Sequence, residues 1–273
     1  MPLFLMLWLT VVPKNVILIK GAVPSASDST TPVPEVGKVA GGRYRNAYFG
    51  LSYPIPVGWR EQPAGPPPSD SGSYVLAQFA VERANVLVTA QDLFFALRPL
   101  AGAKELVAAL RNGLEPPFEL EGEPSTVTIG GRTFHRLAYH ARRSGLRWRV
   151  LSTDLRCHAL TFNFTGTDSA ALDAAERALS NVALTPPSLP CVTGYDEVVT
   201  KTDPVFPTQH YNTIPVRVIV DASGRVKHAH LLSAYPEQSQ AILAALRSWR
   251  FKPYRVGGRA VAVETGVVFG MAR

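Results

Sequence analysis

The sequence predicts an α+β fold, and three observations carry that prediction. Runs rich in alternating or β-branched residues follow one another with glycine- and aspartate-containing turns between them, as in antiparallel hairpins. Segments with apolar residues at helical spacing flank those hairpins and supply the sheet with helical cover. A proline-rich break, Thr185-Pro186-Pro187-Ser188-Leu189-Pro190, then separates two domains. The chain has 273 residues, 46% of them hydrophobic and 18% charged, which supplies enough apolar material for two cores.

Residues 3 to 12 form an apolar run of the length of a signal-peptide core, interrupted afterwards by Pro13, Lys14, Asn15 and Lys20. An uninterrupted span of about 20 apolar residues is therefore missing. Residues 1 to 26 read as a signal peptide, with small residues from Gly21 to Ser27 for cleavage and a mature start near Ser27; a retained anchor is the alternative. Residues 27 to 42, rich in Ser, Thr, Pro and Gly, read as a flexible tether. Export suits the two cysteines, Cys157 and Cys191, which are candidates for one disulfide.

The first domain, residues 43 to 185, opens on Tyr48-Phe49-Gly50-Leu51-Ser52-Tyr53-Pro54-Ile55-Pro56-Val57-Gly58-Trp59. Strands are expected at Tyr74 to Val81 and Asn85 to Ala90. A helix follows in which Leu106, Val107, Leu110 and Leu114 share a face before Asn112-Gly113 weakens its end. Further strands are expected at Ser125 to Ile129, Thr133 to Ala141, Arg147 to Leu155 and His158 to Phe164. A terminal helix from Ser169 to Asn181 places Leu172, Ala175 and Leu179 on one face.

In the second domain, residues 191 to 273, Ile214, Val216, Val218 and Val220 alternate with other residues. Asp221-Ala222-Ser223-Gly224 supplies the turn into a return strand from Val226 to Leu232. Pro236 suits the first turn of a helix. Ile242, Leu243, Leu246 and Trp249 then form an apolar stripe, and Gly257-Gly258 turns the chain into a last strand from Ala260 to Phe269.

Three stretches of this second domain resemble the C-terminal domain of the TonB family. They are Asp203-Pro204-Val205-Phe206-Pro207, Val218 to Val226 through the hairpin turn, and Leu246-Arg247-Ser248-Trp249-Arg250-Phe251-Lys252-Pro253 followed by Gly257-Gly258-Arg259-Ala260-Val261. The resemblance spans about residues 195 to 270 and implies a small ββαβ domain whose last strand captures a peptide by edge pairing. It implies that Val261, Val263, Thr265 and Val267 line the pairing edge, with Phe206 and Pro207 near the incoming peptide. The implied partner is a protein or peptide, an outer-membrane transporter among the candidates, and the implied location is the periplasm or cell envelope. A TonB-type energy-transduction component of outer-membrane transmembrane transport is the alternative reading. Such a component carries a charged proline repeat as a spacer, and residues 27 to 42 would reach only about 50 Å at roughly 3.3 Å per residue. The opening motif and element order of residues 43 to 185 are loosely similar to PsbP-related domains.

No G-x-S-x-G, H-E-x-x-H, P-loop or G-x-G-x-x-G occurs, so the chain is expected to be no enzyme and to need no cofactor. His228 and His230 share a strand face without a Cys or carboxylate in the pattern, so no metal site is assigned and both are expected in solvent. The net charge of +7 is spread along the chain, with its densest group at Arg132, Arg136, Arg142, Arg143, Arg147 and Arg149. Without zinc-finger spacing or RNA-binding aromatics this reads as a solvated basic face suited to association with anionic lipid, not as a nucleic-acid site.

Overall fold

The structure, a computed structural model, describes residues 23–28, 32–63, 65–185, 189–207 and 212–270. Residues 1–22, with the apolar run and most of the expected signal segment, lie outside the described residues, as do 186–188 of the proline break.

The first part of the described chain carries β1 (Ala26–Ser27), β2 (Gly37–Ala40), β3 (Arg43–Asn46), β4 (Leu51–Pro54), β5 (Arg60–Glu61), β6 (Ser73–Val81) and β7 (Ala84–Asp92). Helix α1 (Ala103–Asn112) is followed by β8 (Phe118–Leu120), β9 (Ser125–Ile129), β10 (Arg132–Ala141), β11 (Arg147–Leu155) and β12 (His158–Gly166). Next come α2 (Ser169–Leu179), β13 (Ala183–Leu184), β14 (Val198–Thr200), β15 (Thr213–Val220) and β16 (Val226–Leu231). The chain closes with α3 (Pro236–Leu246), β17 (Arg250–Phe251), β18 (Arg255–Val256), β19 (Arg259–Ala260) and β20 (Val263–Gly270).

The class is α+β with antiparallel sheets. An eight-stranded sheet runs β5-β6-β7-β12-β11-β10-β8, with β9 also on β10, and a smaller sheet runs β13-β4-β3-β2. Between them lies the larger core, in which Tyr44, Phe49, Tyr53, Phe79, Phe134, Phe162 and Phe164 are buried with Leu172, Ala175 and Leu179 of α2. The cap of α2 is Asp168, whose carboxylate accepts from the Ala171 amide at 3.0 Å. The start of α1 is capped from outside: Asp154 of β11 accepts from the Ala103 amide at 2.7 Å.

The C-terminal sheet runs β1-β16-β15-β20. Ile214, Val216, Val218 and Val220 of β15 and Val263 and Phe269 of β20 bury one face against Ile242 and Leu246 of α3, with Trp249 and Phe251. The turn between β15 and β16 holds Gly224 at φ 83°, and a Cβ there would lie 1.9 Å from the Phe251 carbonyl oxygen, so only glycine fits.

Four expectations are corrected. The expected tether is partly strand, because the main chain of Ala26–Ser27 pairs with Leu231 and His230 of β16, and Gly37–Ala40 forms a hairpin with β3. Helix α1 stops at Asn112, leaving Leu114 outside it and Leu110 exposed. Helix α3 ends at Leu246, where bonds from Ser248 to Ala245 (3.0 Å) and Trp249 to Leu246 (3.1 Å) tighten the last turn. Trp249 is thus buried from beyond the helix, its Nε1 donating to the Thr202 carbonyl at 2.9 Å. The expected last strand is broken at Val261-Ala262: Arg259–Ala260 folds back on Arg255–Val256 around Gly257-Gly258, and the pairing with β15 starts only at Val263.

Candidate functional site at the outer edge of the C-terminal sheet

Strand β20 ends its sheet, paired with β15 from Val263 to Gly270 on one side only. Strand alternation splits its side chains. Val263 and Thr265 are buried, and Val263, Val267 and Phe269 belong to the core beneath α3, whereas Glu264, Gly266 and Val268 face the other way. Of the residues expected to line the pairing edge, Val263, Thr265 and Val267 therefore share this strand. Val261 lies outside it, with its amide donating to the Tyr254 carbonyl at 3.0 Å. Phe206 packs against the same core and Pro207 is exposed.

The outer main chain of β20 is engaged at one point. The Glu264 amide donates to the Pro190 carbonyl at 2.9 Å, and the Val192 amide donates to the Glu264 carbonyl at 3.0 Å, so Cys191 lies alongside Glu264 as a parallel neighbour. Thr265 Oγ1 adds a bond to the Val192 carbonyl at 2.7 Å. The outward-pointing amides are consequently those of Glu264, Gly266 and Val268, while those of Val263 and Thr265 point into the ladder.

The neighbouring segment is pinned from the first sheet. Cys191 is disulfide-bonded to Cys157, with the two Cα atoms 5.7 Å apart. Cys157 and Arg156 form the two-residue loop between β11 and β12, and both hold left-handed backbones, φ 57° and 51°. That pair of angles belongs to a tight hairpin turn usually filled by Asn-Gly, so two side chains with a Cβ are held there against a steric preference. The loop aims both at β20.

Arg156 grips Glu264 with two nitrogens, at 3.2 and 3.1 Å, and its guanidinium lies 3.7 Å over the Tyr48 ring. The Tyr48 hydroxyl donates to Glu264 Oε1 at 2.8 Å. Arg217 of β15 reaches the same carboxylate at 3.2 Å and donates to Asp92 at the end of β7. All of these groups are buried or nearly so, and two guanidinium groups balance two carboxylates. Burial pushes the Glu264 carboxyl up, but Arg217, Arg156 and the Tyr48 hydroxyl outweigh it and hold its pKa below the ordinary value. His158, enclosed beside Asp92 and donating from Nδ1 to the Arg156 carbonyl at 2.7 Å, has its pKa driven well down by burial and then by Arg217, so it is neutral. Gly266 admits the turn that follows β7 closely: a Cβ there would lie 2.8 to 2.9 Å from Phe94 and Phe95.

The opposite edge of the sheet is covered by the N-terminal segment. Besides the β1 pairing, Asp28 lies 3.2 Å from His228 and Glu35 lies 3.2 Å from His230. Both histidines thus have carboxylate neighbours in place of the solvent expected for them, and His230 is buried. A small cavity of about 20 Å³ sits at this junction, where Tyr48, Arg156, Arg217, His230 and Glu264 meet apolar groups of Pro32, Pro34 and Ala229, and it has room for about one water. Among the described residues no group of three or more His, Cys, Asp or Glu side chains is placed to hold a metal. The expected basic face is largely paired: Arg136 and Arg149 meet Glu176 at 2.8 and 2.9 Å, Arg147 meets Glu121 at 2.8 Å, and Arg142 meets Glu119.

Sequence reasoning missed Glu264, Arg217, Arg156, Asp92 and Tyr48. A charge at the alternate position of a half-buried strand reads as solvent-facing, and nothing local announces that a second sheet covers that face.

No family model matches the chain, and no curated protein matches it. Solved structures to which it is similar include a PsbP from the cyanobacterium Synechocystis sp. PCC 6803, at 17% identity and a TM-score of 0.37, covering 55% of this chain and 99% of that one. Another is PA94, a protein of unknown function from Pseudomonas aeruginosa, at 17% identity and a TM-score of 0.32, covering 55% and 97%. A third is LpqN of Mycobacterium tuberculosis, described as involved in cell envelope biogenesis, at 18% identity and a TM-score of 0.31, covering 59% and 92%. Among the described residues no helix is long and apolar enough to cross a membrane.

Proposed function

We propose that this chain is an exported binding protein of the periplasm or cell envelope, which captures an extended peptide or a segment of an outer-membrane protein along the outer edge of β20. In this reading residues 43 to 185 form a PsbP-like domain and residues 191 to 273 a TonB-like one. The observation that carries it is the way Pro190–Val192 already lies on that edge, exchanging two main-chain bonds with Glu264 as a captured strand would. From Gly266 to Gly270 the edge has no second strand partner among the described residues, and unpaired amides and carbonyls there favour an added strand. Catalysis is not part of the proposal. The buried carboxylates are held by guanidinium groups that join the sheets, and main-chain pairing needs no reactive group.

The outward amide of Val268, an exposed residue opposite Pro215, makes the test specific. Val268→Pro removes one donor from the free edge and leaves the ladder with β15 intact. Capture from envelope extracts should retain partners on the wild-type chain and lose them on folded Val268→Pro. The same partners retained on both baits would overturn edge pairing.

A further inference from the structure

Resting on that reading of the edge, we propose that the Cys157–Cys191 disulfide is a redox latch. Oxidised, it holds Pro190–Val192 over the first part of β20; reduced, it releases the segment and frees the edge from Glu264 onward. Three features support this, the first shared with the edge reading. Among the described residues the segment meets β20 through three hydrogen bonds, two main-chain and one from Thr265, with Val192 packed against the core beneath α3, so the covalent tie adds to a short contact. Cys191 is an exposed residue, which places the disulfide near the surface where a reductant can approach. Cys157 sits in a left-handed turn beside a left-handed Arg156, a conformation that a non-glycine pair keeps only when its surroundings impose it.

The chemistry is thiol–disulfide exchange with a dithiol protein as reductant. Its thiolate attacks the Cys191 sulfur, the Cys157 thiolate leaves and takes a proton, and the second thiol of the reductant resolves the mixed disulfide. Two electrons pass to this chain, which ends with two thiols, and the reductant ends with one disulfide. The Arg156–Glu264 ion pair is untouched, so the two sheets stay joined while the segment departs.

Hydrogen exchange at single amides reads the latch without any ligand. In the full chain, the amides of Glu264 and Val192 should be protected when oxidised and should exchange about tenfold faster or more after reduction, with the Val218 amide unchanged as a sign of an intact sheet. The double variant Cys157→Ser, Cys191→Ser should match the reduced protein. Unchanged protection at Glu264 in a folded, reduced chain would overturn the latch. A second arm separates this from failure of the edge reading: a fluorescent peptide covering residues 188 to 194, with Cys191→Ser, is titrated against both redox states. A gain of about tenfold in affinity on reduction, lost in Val268→Pro, supports latch and edge together. Faster exchange at Glu264 with no peptide binding in either state keeps the latch and removes the edge-capture reading. Equal affinity in both states removes the latch.

Discussion

The two faces of the C-terminal sheet are held by different physics. Beneath α3, Val216, Val218, Val220, Val263 and Phe269 pack against Ile242, Leu246 and Trp249, where attraction is non-directional and scales with buried apolar area. On the opposite face Arg217, Glu264 and His230 meet Tyr48, Asp92, Arg156 and Glu35 from the rest of the chain, through bonds that work only at fixed distances and angles. The apolar face makes the small ββαβ unit; the ionic face determines where that unit sits. A buried charge network is a poor source of net stability, because removing ions from water costs about as much as their attraction returns, yet it punishes loss of any member. Strand β20 is thus an edge whose inner side chains belong to one core and whose outward side chains meet another part of the protein.

That contrast predicts unequal responses to mutation. Glu264→Ala, which strands Arg156 and Arg217 in a buried place, should cost about 3 to 5 kcal/mol, read by urea denaturation with both sheets followed separately. A loss under about 1 kcal/mol would mean that water reaches the guanidinium groups and the ionic face is open. Trp249→Ala should cost a similar 3 to 5 kcal/mol by cavity formation, but this loss should be insensitive to salt. A Trp249→Ala domain with an unchanged melting temperature would contradict its place in the core.

Acid should attack the ionic face in two stages. His158 has a folded pKa depressed below the ordinary 6.5, so the unfolded chain binds the extra proton first and stability falls as pH drops below 6.5. Glu264 has a folded pKa depressed below the ordinary 4.5, so its contribution is complete above that value and is lost as pH falls through the lower folded value. Stability measured against pH in His158→Phe should lack the first fall and keep the second. An unchanged first fall would assign it to another group. The smallest effect belongs to the apolar face: Ile242→Val should cost about 0.5 to 1.5 kcal/mol at any pH between 5 and 8.

The same contrast explains what the sequence disclosed. Alternation in β15 showed which of its residues share the core face, and the strand Arg147–Leu155 and the helix start at Pro236 fall where local pattern placed them. Pattern reasoning works there because burial on one face leaves a period of two or 3.6 in the chain itself. The ionic face left no such trace. Glu264 and Arg217 sit at alternate positions where a charge is ordinary on a solvent-facing strand, and their partners Tyr48, Asp92 and Arg156 come from three distant segments. Pairing of Ala26–Ser27 with β16 was equally hidden, because main-chain bonds place no demand on side-chain type. The direction of the edge amides also needed the structure, since a shift of one residue in register reverses it.

Capture at the free edge of β20 is tested most directly by amide chemical shifts. The isotopically labelled full chain, reduced, is titrated with the peptide covering residues 188 to 194 that carries Cys191→Ser. Edge capture places the largest shifts on the outward amides of Glu264, Gly266 and Val268, with those of Val263, Thr265 and Val267 moving little and the titration vanishing in Val268→Pro. Shifts centred on another edge, such as β2 or β16, with β20 unmoved, would contradict it.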